Sequence, residues 1–185
     1  MPNGSCRFRS SCILVFSSNH TRFLVFLFCI TAVRIFYGAY LGLGDDEAYY
    51  WEWGQHLALS YFDHPPLTAW IGRCTCEIFG NNQFGFRSGA IVSSLLFTIF
   101  LYLLSLRMFS LPGTALRVSI FVAAIPLFAV GSFMMVPDAF LALFWLLALF
   151  FFWEIVDKGN RRDWYALGII FGLGLLSKYN MVMLP

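Results

Sequence analysis

Charged residues are scarce in this chain of 185 residues. Asp, Glu, Lys and Arg make up 12% of it, against about 25% in ordinary soluble domains. Hydrophobic residues make up 59%, including 22 Phe, and a soluble domain of this length has no core large enough to hide them. The composition therefore excludes a soluble globular domain and predicts an integral membrane protein.

Three further absences narrow the function. Basic residues are few and form no patch, which argues against a nucleic-acid partner. The five cysteines are odd in number and lack the paired CxxC spacing of zinc modules. No internal repeat is visible, whereas transporters often consist of two related halves.

Long apolar runs are what the chain does have. A helix needs about 20 mainly apolar residues to cross a membrane. Five segments approach this length: Arg22–Leu43, Gly89–Met108, Arg117–Met135, Ala139–Val156 and Trp164–Met183. We predict an all-α membrane protein with about five transmembrane helices in residues 22–185, preceded by a cytoplasmic segment, residues 1–21.

Basic residues collect in alternate loops, which predicts the orientation. They are Arg7, Arg9, Arg22, Arg107, Arg117, Lys158, Arg161 and Arg162. The positive-inside bias places these loops and the N-terminus in the cytoplasm of a cell inner (plasma) membrane. The opposite face then receives the first outer loop, residues 44–88, the turn before Asp138 and the chain near Lys178. All candidate site residues are expected on this extracytoplasmic face.

The outer loop concentrates carboxylates, and its pattern predicts two interfacial helices. Five acids lie within nineteen residues: Asp45, Asp46, Glu47, Glu52 and Asp63. Helical spacing and interfacial aromatic rings predict a first helix from Asp45 to about Leu59. Carboxylates are favoured at a helix N-terminus, so one of the three consecutive acids can be a cap. Three in a row exceed what capping requires.

The sequence Asp63-His64-Pro65-Pro66 predicts an extended turn followed by a second helix, Leu67–Phe79. A helix N-terminus attracts phosphate, and His64 can donate a hydrogen bond to it. Asp63 can instead hold a divalent cation that binds the phosphate. A simple turn is the alternative reading of the same residues.

Three charged residues fall in or beside apolar spans, where charge is costly. Asp138 either caps the fourth span or serves a site. Lys178 either reaches water from the end of the fifth span or serves the same site. Arg34 lies midway along the first span and is expected to face the bundle interior and meet a partner there.

Together these motifs resemble the GT-C membrane glycosyltransferases, in the branch of the aminoarabinose-lipid A transferases and protein O-mannosyltransferases. The resemblance rests on four motifs: Asp46-Glu47 with AYYWEW, YFDHPPL, Pro137-Asp138, and GLGLLSKY of Gly172–Tyr179. The resemblance implies transfer of a sugar from a polyprenyl phosphate to an extracytoplasmic acceptor, with inversion by a single displacement. The acceptor is lipid A, another glycan or a protein.

The resemblance also implies roles for the acids. Asp46 matches the residue that orients or deprotonates the acceptor, and Glu47 accompanies it. Asp138 matches a second catalytic acid.

For the donor phosphate, the resemblance implies binding by His64 and Lys178. Asp63 falls where relatives carry an acid linked to a divalent metal cation, whose identity stays open.

Family members continue through further spans, so we expect this chain to be an inactive or incomplete fragment, or one half of an enzyme completed by a second chain. The alternative class is a non-catalytic membrane protein, such as a transporter or assembly-subunit fragment.

Overall fold

A computed structural model describes residues 7–159 and 161–183, and every regular element in these two ranges is helical. The helices are α1 (Arg7–Tyr40), α2 (Asp45–Gln55), α3 (Leu67–Phe79), α4 (Gln83–Phe109), α5 (Pro112–Ala124), α6 (Pro126–Gly131), α7 (Pro137–Lys158), α8 (Arg161–Ser177) and a terminal 3-10 helix (Tyr179–Met183). The all-α prediction is confirmed.

Among the residues that the structure describes, three helices are long and apolar enough to cross a membrane: Ser18–Tyr40 within α1, α4 and α7. They correspond to the first, second and fourth predicted spans, and the chain is a membrane protein. Of the predicted segment 1–21, residues 1–6 lie outside the described ranges, and α1 already begins at Arg7.

The third predicted span, Arg117–Met135, is not one continuous helix. Pro126 lacks an amide hydrogen and disfavours a helical conformation at the residue before it. Ile125 accordingly has φ −68° and ψ 126°, which separates α5 from α6. The fifth predicted span, Trp164–Met183, is divided between the 17 residues of α8 and the 3-10 helix. The count of five spans therefore stays a prediction.

Helices α2 and α3 occupy the positions predicted for the two helices of the first outer loop. α3 packs closely on α4, because Gly72 faces the ring of Phe86. A Cβ atom at Gly72 would lie 2.5 Å from that ring. One hydrophobic cluster joins the loop helices to the bundle; its members include Tyr50, Trp53, Leu67, Phe86, Met135 and Phe140.

Polar contacts define the two ends of the bundle. At one end, Arg107 near the end of α4 pairs with Glu154 near the end of α7, at 3.3 Å. At the other end, the Ser177 hydroxyl donates to the Pro137 carbonyl at 2.8 Å, joining the end of α8 to the start of α7. Arg87, in the first turns of α4, contacts the end of α1 at this same end. The segments carrying the predicted site residues therefore meet at one end of the bundle.

Candidate functional site

The first turn of α2 is tied to the bundle by the buried carboxylate of Glu47. Arg87 donates to it from Nε at 2.8 Å and from Nη2. The backbone amides of Met135 and Gly44 donate to it at 3.0 and 3.1 Å. Burial alone would raise the pKa of Glu47, but these hydrogen bonds and the Arg87 charge outweigh burial and lower it. Glu47 is therefore ionised, and its carboxylate joins the start of α2 to α4 and to the segment before α7.

Arg87 also fixes the end of α1. Its guanidinium donates to the carbonyls of Leu41 at 2.6 Å and Gly42 at 2.8 Å. Glu47 thus holds α2 in place, whereas its neighbour Asp46 is exposed. The catalytic role expected for Glu47 stays a prediction, and its contacts are those of a positioning residue for Asp46.

The turn before α3 places Asp63 and His64 beside the aromatic side chains of α2. The Tyr49 hydroxyl donates to Asp63 Oδ2 at 3.0 Å, and this hydrogen bond raises the pKa of Tyr49. The His64 ring centroid lies 6.0 Å from that of Tyr50. The Tyr61 amide donates to the His64 carbonyl at 3.2 Å, which closes the turn. His64 is half-buried and Asp63 is exposed.

Asp138 and Lys178 form an ion pair, with Lys178 Nζ 2.7 and 2.9 Å from the two carboxylate oxygens. Asp138 lies in the first turn of α7, whose N-cap residue is Val136 and has no side-chain cap. Asp138 is therefore not the N-cap residue, although the helix N-terminus favours a carboxylate in the first turn, and Lys178 contacts this carboxylate rather than water alone. The pair is a charged contact between two segments 40 residues apart.

Tyr50 is near enough to three of the predicted acids for their charges to act on it. Its ring is buried, and burial raises its pKa. The negative charges of Asp46, Asp138 and Asp63 raise it further, in that order. Three carboxylates from three separate segments therefore act on one neutral phenol, and Lys178 joins the group through Asp138.

Asp46 and Asp138 also line a cavity of about 460 Å³. Its walls come from α4, α5, α6 and α7 and are mainly apolar, and Arg34 lies on the same lining. Carboxylates at an apolar cavity suit an amphipathic ligand, whose reacting group lies beside the acids while its chain fills the interior.

The described residues offer little to a metal ion on their own. In residues 7–159 and 161–183, no three His, Cys, Asp or Glu side chains are grouped to hold one. Asp63 has one oxygen engaged by Tyr49. Mg²⁺ commonly takes one or two carboxylates together with substrate phosphates. Asp63 therefore fits a metal ion only if substrate phosphate oxygens supply further ligands.

Sequence reasoning missed Arg87. Arg87 had a recognisable signal, because it is a cation on the side that the positive-inside bias leaves poor in cations. Arg34 is buried and faces the bundle as predicted. Its partners are neutral: the Ser94 carbonyl at 3.2 Å and Thr98 Oγ1 at 3.3 Å.

Comparisons with known proteins identify relatives of the chain. An undecaprenyl phosphate-alpha-4-amino-4-deoxy-L-arabinose arabinosyl transferase of Erwinia tasmaniensis is 31% identical over 133 residues, which cover 69% of this chain and 24% of the relative. The Pseudomonas aeruginosa transferase of the same name is 31% identical over 140 residues, covering 74% and 25%. The Sodalis glossinidius protein named arabinosyl transferase 2, of the same type, is 30% identical over 127 residues, which cover 66% of this chain and 23% of the relative.

The chain spans about a quarter of the length of these curated relatives. No solved structure matches it. The relatives and the matching family are transferases, so the transporter alternative is not favoured. Residues 63–185, which include Asp63, His64, Asp138 and Lys178, match the family described as dolichyl-phosphate-mannose-protein mannosyltransferase. Because this match covers well over half of the sequence, the chain belongs to the dolichyl-phosphate-mannose-protein mannosyltransferase family, within the GT-C type that the motifs resemble.

Proposed function

We propose that this chain supplies part of the active site of a membrane glycosyltransferase, which moves a sugar from a polyprenyl phosphate to an extracytoplasmic acceptor. The observation that supports this most is that Asp46 and Asp138 line one cavity and that Lys178 is paired to Asp138. The names of the relatives specify an undecaprenyl phosphate sugar donor. We place the site on the outer face of the inner membrane and the basic end of the bundle in the cytoplasm.

Asp46 is the proposed base. Its carboxylate is exposed and lines the cavity, so it can accept the proton of an acceptor hydroxyl as that oxygen attacks the anomeric carbon. A bond forms between the acceptor oxygen and this carbon. The bond from the carbon to the phosphate oxygen breaks, and its electron pair leaves with the polyprenyl phosphate. One such displacement inverts the anomeric configuration.

Lys178 and His64 are the proposed phosphate ligands. Asp138 holds the Lys178 ammonium within the group of acids, where it can neutralise charge that develops on the leaving phosphate. His64 can donate a further hydrogen bond. Asp63 is the residue that would hold a divalent cation together with phosphate oxygens, and such a cation would supply additional positive charge there.

The test is transfer of radiolabelled sugar from polyprenyl phosphate to lipid A, glycan and protein acceptors in membranes. The chain is assayed alone and beside the product of its downstream reading frame, which tests for a second chain. Asp46→Asn should lower transfer by about 10²-fold or more, with abundance in the membrane unchanged.

Asp45→Asn is the matched control, since Asp45 is the neighbouring exposed acid and is not on the cavity lining. It should retain transfer. Equal activity of the two variants would remove Asp46 from the role of base. No transfer under either condition, with the proteins present in the membrane, would contradict the proposed function.

A further inference from the structure

Arg34 is a buried cation in the membrane-spanning part of α1. It lies six residues before Tyr40, the last residue of the helix, or about 9 Å along the axis at 1.5 Å per residue. Its side chain is 5% exposed. An ionisable residue at such a depth is costly, and it commonly marks a site for a substrate or an ion.

The contacts of Arg34 leave its charge unpaired. Its two terminal nitrogens donate to the Ser94 carbonyl and to Thr98 Oγ1, both on α4. Nε is buried and has no hydrogen-bond partner. No carboxylate in the described part of the chain forms an ion pair with it. These neutral contacts hold α1 against α4. An uncharged polar side chain could make the same contacts without the cost of burying a charge.

Arg34 also lies between two cavities. It lines the cavity of about 460 Å³ that reaches Asp46 and Asp138, and a second one of about 310 Å³ between α1 and the α5–α6 region. Both linings are mainly apolar, and Ser132 is common to the two. The break at Ile125 falls between Ala123 and Leu127, which line the larger cavity, and non-helical backbone at membrane depth is tolerated beside a cavity.

We propose that Arg34 binds the phosphate of an amphipathic lipid whose apolar chain occupies the adjoining cavity. A guanidinium presents several donors in a fork that matches phosphate oxygens, and the apolar walls match a hydrocarbon chain. Lys178 and His64 do not line either cavity, so this is a second phosphate-binding position, separate from theirs. This assignment rests on the proposed function, in which Lys178 and His64 hold the single phosphate of the reacting donor: the lipid at Arg34 is either a phosphate-bearing acceptor or a polyprenyl phosphate outside the catalytic position.

Binding is measured without transfer, so this proposal and the proposed function fail independently. The chain is reconstituted in phosphatidylcholine nanodiscs and titrated with phosphatidic acid, diacylglycerol or polyprenyl phosphate. Trp145 lies on the lining of the larger cavity, and its fluorescence reports occupancy, with Trp145→Phe identifying its share of the signal. Phosphatidic acid or polyprenyl phosphate should bind at least about tenfold more tightly than diacylglycerol.

Arg34→Met should weaken binding of the phosphate-bearing lipid by about tenfold or more, and Arg34→Lys should restore part of it. Arg22→Met, which removes an exposed cation from the same helix, should bind like the parent. Loss confined to polyprenyl phosphate assigns the position to a polyprenyl phosphate outside the catalytic position, and loss confined to phosphatidic acid assigns it to a phosphate-bearing acceptor lipid.

Thr98→Val distinguishes lipid binding by Arg34 from a purely structural contact between α1 and α4, since it removes a hydrogen-bond partner of Arg34 and keeps the Arg34 charge. It should retain lipid binding even where it lowers thermal stability. Unchanged binding in a folded Arg34→Met variant, or equal affinity for diacylglycerol and both phosphate lipids, would overturn the proposal.

Discussion

Arg87 and Glu47, 40 positions apart in the sequence, form an ion pair whose side chains are 2% and 0% exposed. The pair joins the start of α4 to the first turn of α2, and through Leu41 and Met135 it also reaches the end of α1 and the segment before α7. A buried pair is tolerated when further hydrogen bonds satisfy both partners. Here those bonds hold in place the turn that carries Asp46.

Removal of one partner should therefore be strongly destabilising. Arg87→Met leaves the Glu47 carboxylate buried and unpaired, at an expected cost of about 3–5 kcal/mol in the free energy of unfolding. Denaturation of the purified chain in detergent measures this loss.

Arg73→Met is the control, because Arg73 pairs with Glu77 at 2.7 Å on an exposed surface. Its expected cost is about 0–1 kcal/mol. Similar losses in the two variants would contradict the importance of the buried pair.

The same pair predicts a pH dependence of stability. The pKa of Glu47 is lowered from 4.5 in the folded chain, so the unfolded chain takes up the proton at a higher pH. The stabilisation is therefore complete above about pH 4.5 and is lost as the pH falls through the lower folded pKa. Glu47→Gln removes the titrating group.

The difference in free energy of unfolding between parent and Glu47→Gln should then narrow as the pH is lowered from about 6 to about 3. Denaturation curves at several pH values give this difference. A constant difference across the range would show that folding does not lower the pKa of Glu47.

Local patterns were sufficient to predict much of the fold. The span lengths of α1, α4 and α7 follow from apolar runs, and the start of α3 follows from Pro65 and Pro66. The break at Ile125 also had a local signal in Pro126, but hydropathy averaged over a whole span hides a single proline. The all-α class therefore followed from the sequence, whereas the third predicted span was drawn as continuous.

Long-range pairing could not be derived in the same way. The sequence identified Asp138 and Lys178 as unusual charges, yet offered each a separate explanation in capping or in contact with water. Only the packing of α7 against α8 brings them to 2.7 Å. Glu47 illustrates the same limit, since the sequence predicted it as a companion of Asp46 in the site and did not reveal its buried ion pair with Arg87 of α4.

Lys178 should affect the chemical step more than substrate binding. If it neutralises charge on the leaving phosphate, Lys178→Met should lower kcat by about 10²–10³-fold, and Lys178→Arg should recover part of the loss. Steady-state transfer kinetics with varied donor separate kcat from KM.

Lys158→Met is the matched control, since Lys158 pairs with Glu154 at the opposite end of the bundle. It should leave kcat unchanged. A rise in donor KM alone in Lys178→Met would place Lys178 in binding rather than in departure of the phosphate.

Two cysteines of α3 test the orientation and the packing together. Cys74 is exposed, whereas Cys76 is 7% exposed and its burial raises the pKa of its thiol. A thiol that is both buried and protonated reacts slowly. In variants that retain only one of the two, a membrane-impermeant maleimide added to intact cells should label Cys74 and spare Cys76, and both should react after denaturation.

The two cysteines separate two ways in which this prediction can fail. If Cys74 reacts only after the membrane is permeabilised, α3 lies on the cytoplasmic side, and the proposed outer-face site is wrong. If Cys76 reacts from outside as fast as Cys74, the orientation stands but α3 does not pack on the bundle as described. That packing also sets the position of the turn carrying Asp63 and His64. Labelling of Cys74 alone therefore supports both the outer-face location and the arrangement of the proposed phosphate ligands.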